Sequence, residues 1–128
     1  MTRDHLIVRR RIGDIETPVS AMLKLDPERA GSFLFESIHG GERLGRYSFL
    51  GVQPIKWFRI HDGISEVADN PEFAHAERLD MTPVEALRYF TEAGRAETGE
   101  ADLPPMASGT FGYIGYDMVR HMERLPEP

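Results

Sequence analysis

The segment 33–51 constrains the fold most, because strand-type alternation stands on both sides of a glycine pair. Phenylalanine alternates with other residues over 33–36, and aromatic residues and glycine alternate with others over 47–51. This period of two is typical of a β-strand. Gly40 and Gly41 lie between the two halves, and glycine readily adopts the positive φ that a tight reversal needs. The segment therefore predicts two strands joined as a hairpin.

Polar side chains end the first half of this segment and begin the second. Glu36 and Ser37 follow an apolar run, and Tyr47 and Ser48 open the return. If the halves pair, a carboxylate and hydroxyls converge at the edge of an apolar layer. A small zwitterionic molecule needs acceptors for its ammonium, donors for its carboxylate and an apolar slot. The pattern is also compatible with a plain strand end at which Ser37 satisfies a turn.

Length and composition exclude several classes of protein. We expect residues 1–128 to form a single domain of ordinary soluble type, with 41% hydrophobic and 28% charged residues. A net charge of −6 argues against nucleic-acid binding, which needs a basic surface. The absence of cysteine excludes disulfides, thiolate metal sites and a cysteine nucleophile, and it fits a cytoplasmic protein. No apolar run approaches the roughly 20 residues that span a membrane, and the N-terminus lacks the apolar core of a signal peptide.

The remaining strands and turns are predicted from alternation and from glycine or proline. Strands are expected over 6–12, 52–60, 64–68 and 109–116. His61-Asp62-Gly63 is a turn signal between two of them. Residues 69–80 and 96–106 are expected to be a loop and a linker.

Three helices are predicted from capping residues and apolar spacing. One begins at Thr17–Pro18 with Val19, Met22 and Leu23 on one face, and ends at Asp26–Pro27. The second begins with a capping box at 82–85, buries Val84, Leu87 and Phe90, and ends at Gly94. The third runs over 117–125 with Asp117 near its N-cap. Strands outnumber helices without alternating with them, which predicts an α+β fold with a largely antiparallel β-sheet and two or three helices.

No catalytic or metal-binding motif is recognisable in the sequence. His121-Met122-Glu123 does not have the spacing of a zinc-binding helix, and there is no nucleophile elbow. The histidines are scattered, and the acidic residues show no pairing typical of a general acid and base. The sequence therefore predicts no catalytic residues and no metal ligands.

Three blocks in one order carry a family resemblance. They are Thr-Pro-Val-Ser-Ala-Met-Leu-Lys-Leu at 17–25, the segment 33–51 with Gly-Gly-Glu-Arg and Gly-Arg-Tyr-Ser-Phe, and Gly-Tyr-Ile-Gly-Tyr-Asp at 112–117 followed by Glu-Arg-Leu-Pro. Together they resemble the N-terminal portion of component I, the large subunit, of anthranilate synthase. The departures are local: Phe35 stands where the family usually has leucine, His39 where an acidic residue is common, and Leu44 where tryptophan is common.

The resemblance implies a part of a larger enzyme of tryptophan biosynthesis. That lyase converts chorismate and glutamine (or ammonia) to anthranilate and pyruvate, with Mg²⁺ bound by its chorismate-binding C-terminal region. This region is missing from the 128 residues, so the resemblance implies a truncated fragment that is inactive alone and carries no cofactor of its own. The implied partners are the C-terminal region and the glutamine amidotransferase subunit, component II.

The resemblance also places part of the allosteric feedback site for L-tryptophan in this chain. The residues that match the family motifs are Leu34, Phe35, Glu36, Ser37, Tyr47 and Ser48. By analogy, Glu36 receives the ammonium of tryptophan, Ser37 and Ser48 fix its polar end, and Phe35 lines the indole slot. Two alternatives stay open: the N-terminal region of aminodeoxychorismate synthase component I, and a non-catalytic module that binds an amino acid or docks an amidotransferase. The 17–25 block and the complete run from Gly-Gly-Glu-Arg to Gly-Arg-Tyr-Ser favour anthranilate synthase.

Overall fold

The computed structural model describes residues 6–36, 47–96, 103–104 and 106–124, and these residues form an α+β arrangement. Two antiparallel sheets are accompanied by three short α-helices and one 3-10 turn. In chain order the elements are α1 (Pro18–Lys24), β1 (Phe33–Glu36), β2 (Ser48–Gly51), β3 (Trp57–His61), β4 (Ile64–Ala68), β5 (Glu77–Leu79), α2 (Pro83–Ala93), the 3-10 turn (Tyr116–Met118) and α3 (Val119–Met122). The predicted fold class is confirmed. None of the helices in the described ranges is long and apolar enough to cross a membrane.

The strands β1 and β2 pair antiparallel and form a two-stranded ribbon. Phe33 lies opposite Gly51 at one end, and Glu36 lies opposite Ser48 at the other. The predicted pairing of the two halves is therefore confirmed. The predicted reversal at Gly40–Gly41 falls outside the described residues.

The second sheet has the order β3-β4-β5, with both pairs antiparallel. The predicted turn before β4 is confirmed, since Asp62 and Gly63 have φ of 50° and 73°, as a tight hairpin requires. The predicted strand over 52–60 was too long at its start: Gln53 has φ of 56°, which breaks extended backbone, and β3 begins only at Trp57. The predicted loop over 69–80 contains β5, which owes its extended form to pairing with β4 rather than to an apolar pattern.

Helix α2 covers one face of the second sheet. Its capping box is confirmed: Thr82 accepts from the backbone N–H of Glu85, and the Glu85 side chain accepts from the N–H of Thr82. The ring of Phe90 stacks on Phe58 of β3 with centroids 5.0 Å apart. The predicted buried stripe was inexact, because its members are only half-buried while Pro83 and Ala86 are buried most deeply. Because Pro83 and Ala86 have short side chains, they let α2 approach the second sheet closely.

Helix α1 packs against both strands of the ribbon. Thr17 caps it as predicted, and Ser20 completes a capping box by accepting from the Thr17 N–H. Val19, Met22 and Leu23 have the spacing of one helical face within α1, but only Met22 is buried, whereas Val19 and Leu23 are exposed. A seven-residue helix offers the ribbon a face too narrow to include all three.

The predicted strands over 6–12 and 109–116 are absent among the described residues of these segments. Both have strand-like sequences, but no described strand pairs with either, and an unpaired strand leaves its backbone groups without partners. The predicted 117–125 helix is shorter than expected. Asp117 lies within the 3-10 turn that Gly115 caps, and α3 ends at Met122.

Candidate functional site

The two faces of the β1–β2 ribbon carry different chemistry. Successive side chains of a strand point to opposite faces, and residues directly opposite each other share a face. The polar face thus consists of Leu34, Glu36, Ser48 and Leu50. The aromatic face consists of Phe33, Phe35, Phe49 and Gly51.

The polar face brings a carboxylate beside a hydroxyl at the end of an apolar strip. Glu36 and Ser48 are exposed, while Leu34 and Leu50 behind them are half-buried. Side chains directly opposite in an antiparallel pair have Cβ atoms about 4.5–5.5 Å apart. Glu36 is an acceptor for an ammonium group, and the Ser48 hydroxyl is a donor for a carboxylate. These groups are complementary to the ammonium and the carboxylate of a free amino acid.

The structure separates the predicted site residues into two sets. Leu34, Glu36 and Ser48 share the polar face. Phe35 lies on the aromatic face with its ring 5.0 Å from that of Phe33, and the ring of Tyr47 lies 6.3 Å from Phe49 on that same face. Phe35 and the Glu36–Ser48 pair thus lie on opposite faces, so a joint role for Phe35 stays a prediction. Ser37 is outside the described residues.

Phe111 packs on part of the aromatic face, on which Phe35 stays 49% exposed, and the strand interpretation of 109–116 missed this contact. The ring of Phe111 stacks on Phe33 with centroids 4.5 Å apart and 30° between planes. It also lies 6.1 Å from the ring of Phe35 and 6.4 Å from that of Phe49. The sequence signal for this contact was the aromatic side chain at position 111 itself. Aromatic pairs at these distances stabilise a fold by more than the burial of their apolar area contributes.

Gly51 makes this packing possible. The ring of Phe33 lies across Gly51, and a Cβ at that position would overlap the ring. Glycine in a strand often marks such a close approach. The ring of Phe33 can therefore lie flat only because the residue opposite it, Gly51, has no side chain.

The resolved pKa shifts belong to structural ion pairs and caps away from the ribbon. A hydrogen bond from Lys24, helped by Ser20, holds the pKa of Glu16 below its ordinary value. Hydrogen bonds from Thr82 lower the pKa of Glu85, and Asp69 raises the pKa of Lys56. These groups support α1, α2 and the second sheet rather than a reactive centre.

The polar face lies apart from the cavity along α2 and from any metal-ligand cluster in the described ranges. A shallow cavity of about 440 Å³ lies along α2, and its lining includes none of the predicted effector residues. No group of three or more histidine or acidic side chains is placed to hold a metal ion in the described ranges.

Comparison with known proteins gives a consistent set of relatives. The chain is 40% identical over 126 residues to anthranilate synthase component 1 of Cereibacter sphaeroides, covering 97% of this chain and 25% of that protein. It is 38% identical to the protein of that name from Mycolicibacterium smegmatis (94% of this chain, 22% of that protein) and 40% identical to the one from Thermus thermophilus (90% and 23%). No family model and no solved structure matches the chain.

The extent of these matches defines the relationship. They cover nearly all of this chain, while the chain spans only about a quarter of the length of the curated relatives. The resemblance inferred from the three sequence blocks is confirmed: this chain is related to the anthranilate synthase component 1 family and corresponds to an N-terminal portion of its members.

Proposed function

We propose that this chain is the effector-sensing portion of an anthranilate synthase large subunit and provides one wall of its tryptophan feedback site. The observation that carries the proposal is the direct pairing of Glu36 with Ser48 on the polar face. That pair lies within the sequence block shared with the family. The parent enzyme would convert chorismate and glutamine to anthranilate, pyruvate and glutamate at the start of tryptophan synthesis.

The roles of the polar-face residues follow from their chemistry. The Glu36 carboxylate accepts hydrogen bonds from the tryptophan ammonium, and the Ser48 hydroxyl donates to the tryptophan carboxylate. Leu34 provides apolar contact behind them. We retain Ser37 as a further polar contact, and Phe35 and Tyr47 as contacts at the end of the ribbon. The other wall, which must cover the indole ring, would come from the remainder of component 1.

The same proposal accounts for large aromatic side chains that no described residue covers. Tyr113 and Tyr116 are 96% and 91% exposed. Exposed aromatic groups of this kind are typical of surfaces that pack against another protein region. We assign them to contact with the C-terminal, chorismate-binding region. Mg²⁺ and the amidotransferase subunit, component II, belong to the whole enzyme, and the described residues offer no three-ligand cluster for the metal.

Inhibition requires that tryptophan bind one state of the enzyme better than another, because a ligand with equal affinity for both shifts nothing. A wall built from two strands suits this requirement. Small changes in how the ribbon meets the second wall alter the enclosure of the effector. The isolated chain has one wall only, so we expect it to bind tryptophan weakly or not at all.

The test uses the full-length gene product that contains this sequence. Anthranilate formation is followed by fluorescence with increasing tryptophan, and effector binding is measured by calorimetry. Glu36→Gln and Ser48→Ala should each raise the inhibitory tryptophan concentration by roughly 10-fold or more, as the loss of a charged hydrogen bond predicts. Ser37→Ala tests the third predicted contact in the same assay.

A matched control distinguishes the site from a general loss of charge. Glu77 is an exposed glutamate on β5 of the other sheet, and Glu77→Gln should leave inhibition unchanged. Unaltered inhibition in both Glu36→Gln and Ser48→Ala would contradict the proposal. Tight tryptophan binding by residues 1–128 alone would favour an independent amino-acid-binding module instead.

A further inference from the structure

Phe111 packs on the face of the ribbon opposite the Glu36–Ser48 pair, closest to Phe33 at the other end of β1. Its ring contacts Phe35, the neighbour of Glu36 in β1, and Phe49, the neighbour of Ser48 in β2. It is thus the one ring among the described aromatic contacts that joins the ribbon to the segment after α2. Because the ribbon is a single layer, the spacing of the polar pair and the packing of the aromatic face cannot change independently.

The residues that follow Phe111 are turned outward. Gly112 has no atom within 4 Å of the position of a Cβ, and beyond it Tyr113, Ile114 and Tyr116 are exposed. Phe111 therefore connects two surfaces. One is the aromatic face of the ribbon, whose two strands carry the polar face on their other side, and the other is the exposed segment 113–116.

We propose that Phe111 is a positioning residue that couples occupation of the Glu36–Ser48 pair by an amino acid to the placement of the segment 113–116. The inference rests on the proposed function of the polar face. When an effector draws the two strands together or alters their twist, the rings of Phe35 and Phe49 move with them. Phe111 must follow in order to keep its stacking, and the attached segment shifts where it meets the rest of the enzyme.

The alternative to coupling is a merely structural role, in which Phe111 only supports the ribbon. A structural role lowers stability, and with it the affinity for the effector and the inhibition together. A coupling role separates the two, because tryptophan still binds while the activity no longer responds. The ratio of the half-inhibitory concentration to the dissociation constant therefore reports coupling.

The experiment compares Phe111→Leu with a matched control in the full-length enzyme. Phe90 is also a half-buried phenylalanine stacked on a strand phenylalanine, at 5.0 Å from Phe58, but it belongs to the other sheet. For Phe111→Leu we expect the ratio of half-inhibitory concentration to dissociation constant to rise ~10-fold, within the range of allosteric couplings. Phe90→Leu should leave the ratio unchanged, and Phe111→Tyr should retain most of the wild-type response.

The outcomes separate this inference from the proposed function. If wild-type enzyme neither binds nor responds to tryptophan, or if Glu36→Gln responds normally, the proposed function fails. If Glu36→Gln loses binding while Phe111→Leu is inhibited like wild type, only the coupling inference is overturned. It is also overturned if affinity and inhibition fall in parallel in Phe111→Leu. Should that variant not fold, Phe111→Met keeps an apolar side chain of similar volume and is read by the same ratio.

Discussion

Glu36 and Ser48 face each other directly across the β1–β2 ribbon, in register with the pairing of Phe35 and Phe49 one step further in. Their register places both polar groups on the face opposite the phenylalanine rings. A slip by one residue would move every side chain of one strand to the other face. The chemistry assigned to this ribbon therefore depends on the register, which can be tested without any ligand.

Charge substitutions at Ser48 test the register. Ser48→Lys places a cation opposite Glu36 and should raise the free energy of unfolding by about 0.2–1 kcal/mol, whereas Ser48→Asp places like charges together and should lower it by a similar amount. Urea unfolding at low and high salt measures the free energy of unfolding of both variants. High salt should reduce the difference in stability between them, because it screens exposed charges. Equal stability of the two variants at low salt would show that residue 48 does not face Glu36.

Replacing Gly51 tests the seat of the aromatic face. In Gly51→Ala the new methyl group displaces the ring of Phe33, so we expect a loss of about 1–3 kcal/mol, as overpacking typically costs. Gly115→Ala is the control, because no atom lies within 4 Å of its added Cβ, and it should change stability by less than about 0.5 kcal/mol. Urea midpoints for the two variants give the comparison, and equal effects would be inconsistent with the described packing.

The buried hydroxyl of Ser65 gives a third prediction. Ser65 is 1% exposed, and its Oγ has no hydrogen-bond partner among the described residues. It lies on the face of the sheet that α2 covers, since it shares that face with Phe58. Removing an unpaired buried polar group is neutral or favourable, so Ser65→Ala should keep or raise the thermal midpoint.

The larger Ser65→Val is the counterpart, because it adds volume where the helix and the sheet are close. We expect it to lower stability by about 1–3 kcal/mol. A strong loss in Ser65→Ala instead would reveal a hydrogen bond from this hydroxyl.

The capping box of α2 predicts a pH dependence. The Thr82 hydroxyl donates to Glu85 Oε2 at 2.7 Å, and this bond lowers the pKa of Glu85 below its ordinary value of 4.5. The ionised form is therefore favoured in the folded chain. Its stabilising contribution is present above pH 4.5 and is lost as the pH falls through the lower pKa of the folded state.

Urea unfolding as a function of pH checks this contribution. Glu85→Gln should flatten the fall of stability on the acid side, and Thr82→Ala should flatten it too while costing about 0.5–2 kcal/mol at neutral pH through loss of the cap. Profiles that run parallel to wild type in both variants would exclude a role for this hydrogen bond.

The exposed aromatic segment predicts the behaviour of residues 1–128 expressed alone. Uncovered apolar surface promotes self-association, and Tyr113 and Tyr116 are almost fully exposed. Sedimentation velocity should show association that increases with concentration. The double variant Tyr113→Ser with Tyr116→Ser should reduce it, whereas Tyr89→Ser on α2 should not. A wild-type chain that stays monomeric at high concentration would contradict this.

Short sequence patterns were sufficient to predict the elements that depend on contacts between near neighbours or on a simple period. Thr82, Pro83 and Glu85 mark the start of α2 through hydrogen bonds within one helical turn, and Asp62–Gly63 marks a turn through backbone conformation alone. The alternation over 33–36 and 47–51 likewise led to the pairing of β1 with β2. Each signal involves neighbours in sequence or a simple period, so no distant contact was needed to recognise it.

Distant contacts decided what the local patterns left open. The segments 6–12 and 109–116 alternate like strands but pair with no described strand, whereas Glu77–Leu79 has little pattern and becomes a strand by pairing with β4. The family motif named Glu36 and Ser48, but only the register put them on one face and Phe35 on the other. The stacking of Phe111 on Phe33 joins residues far apart in the chain. Over a few residues, the order of amino acids encodes a conformational preference. Which strands pair and which side chains stack depends instead on the surfaces that meet in the folded chain.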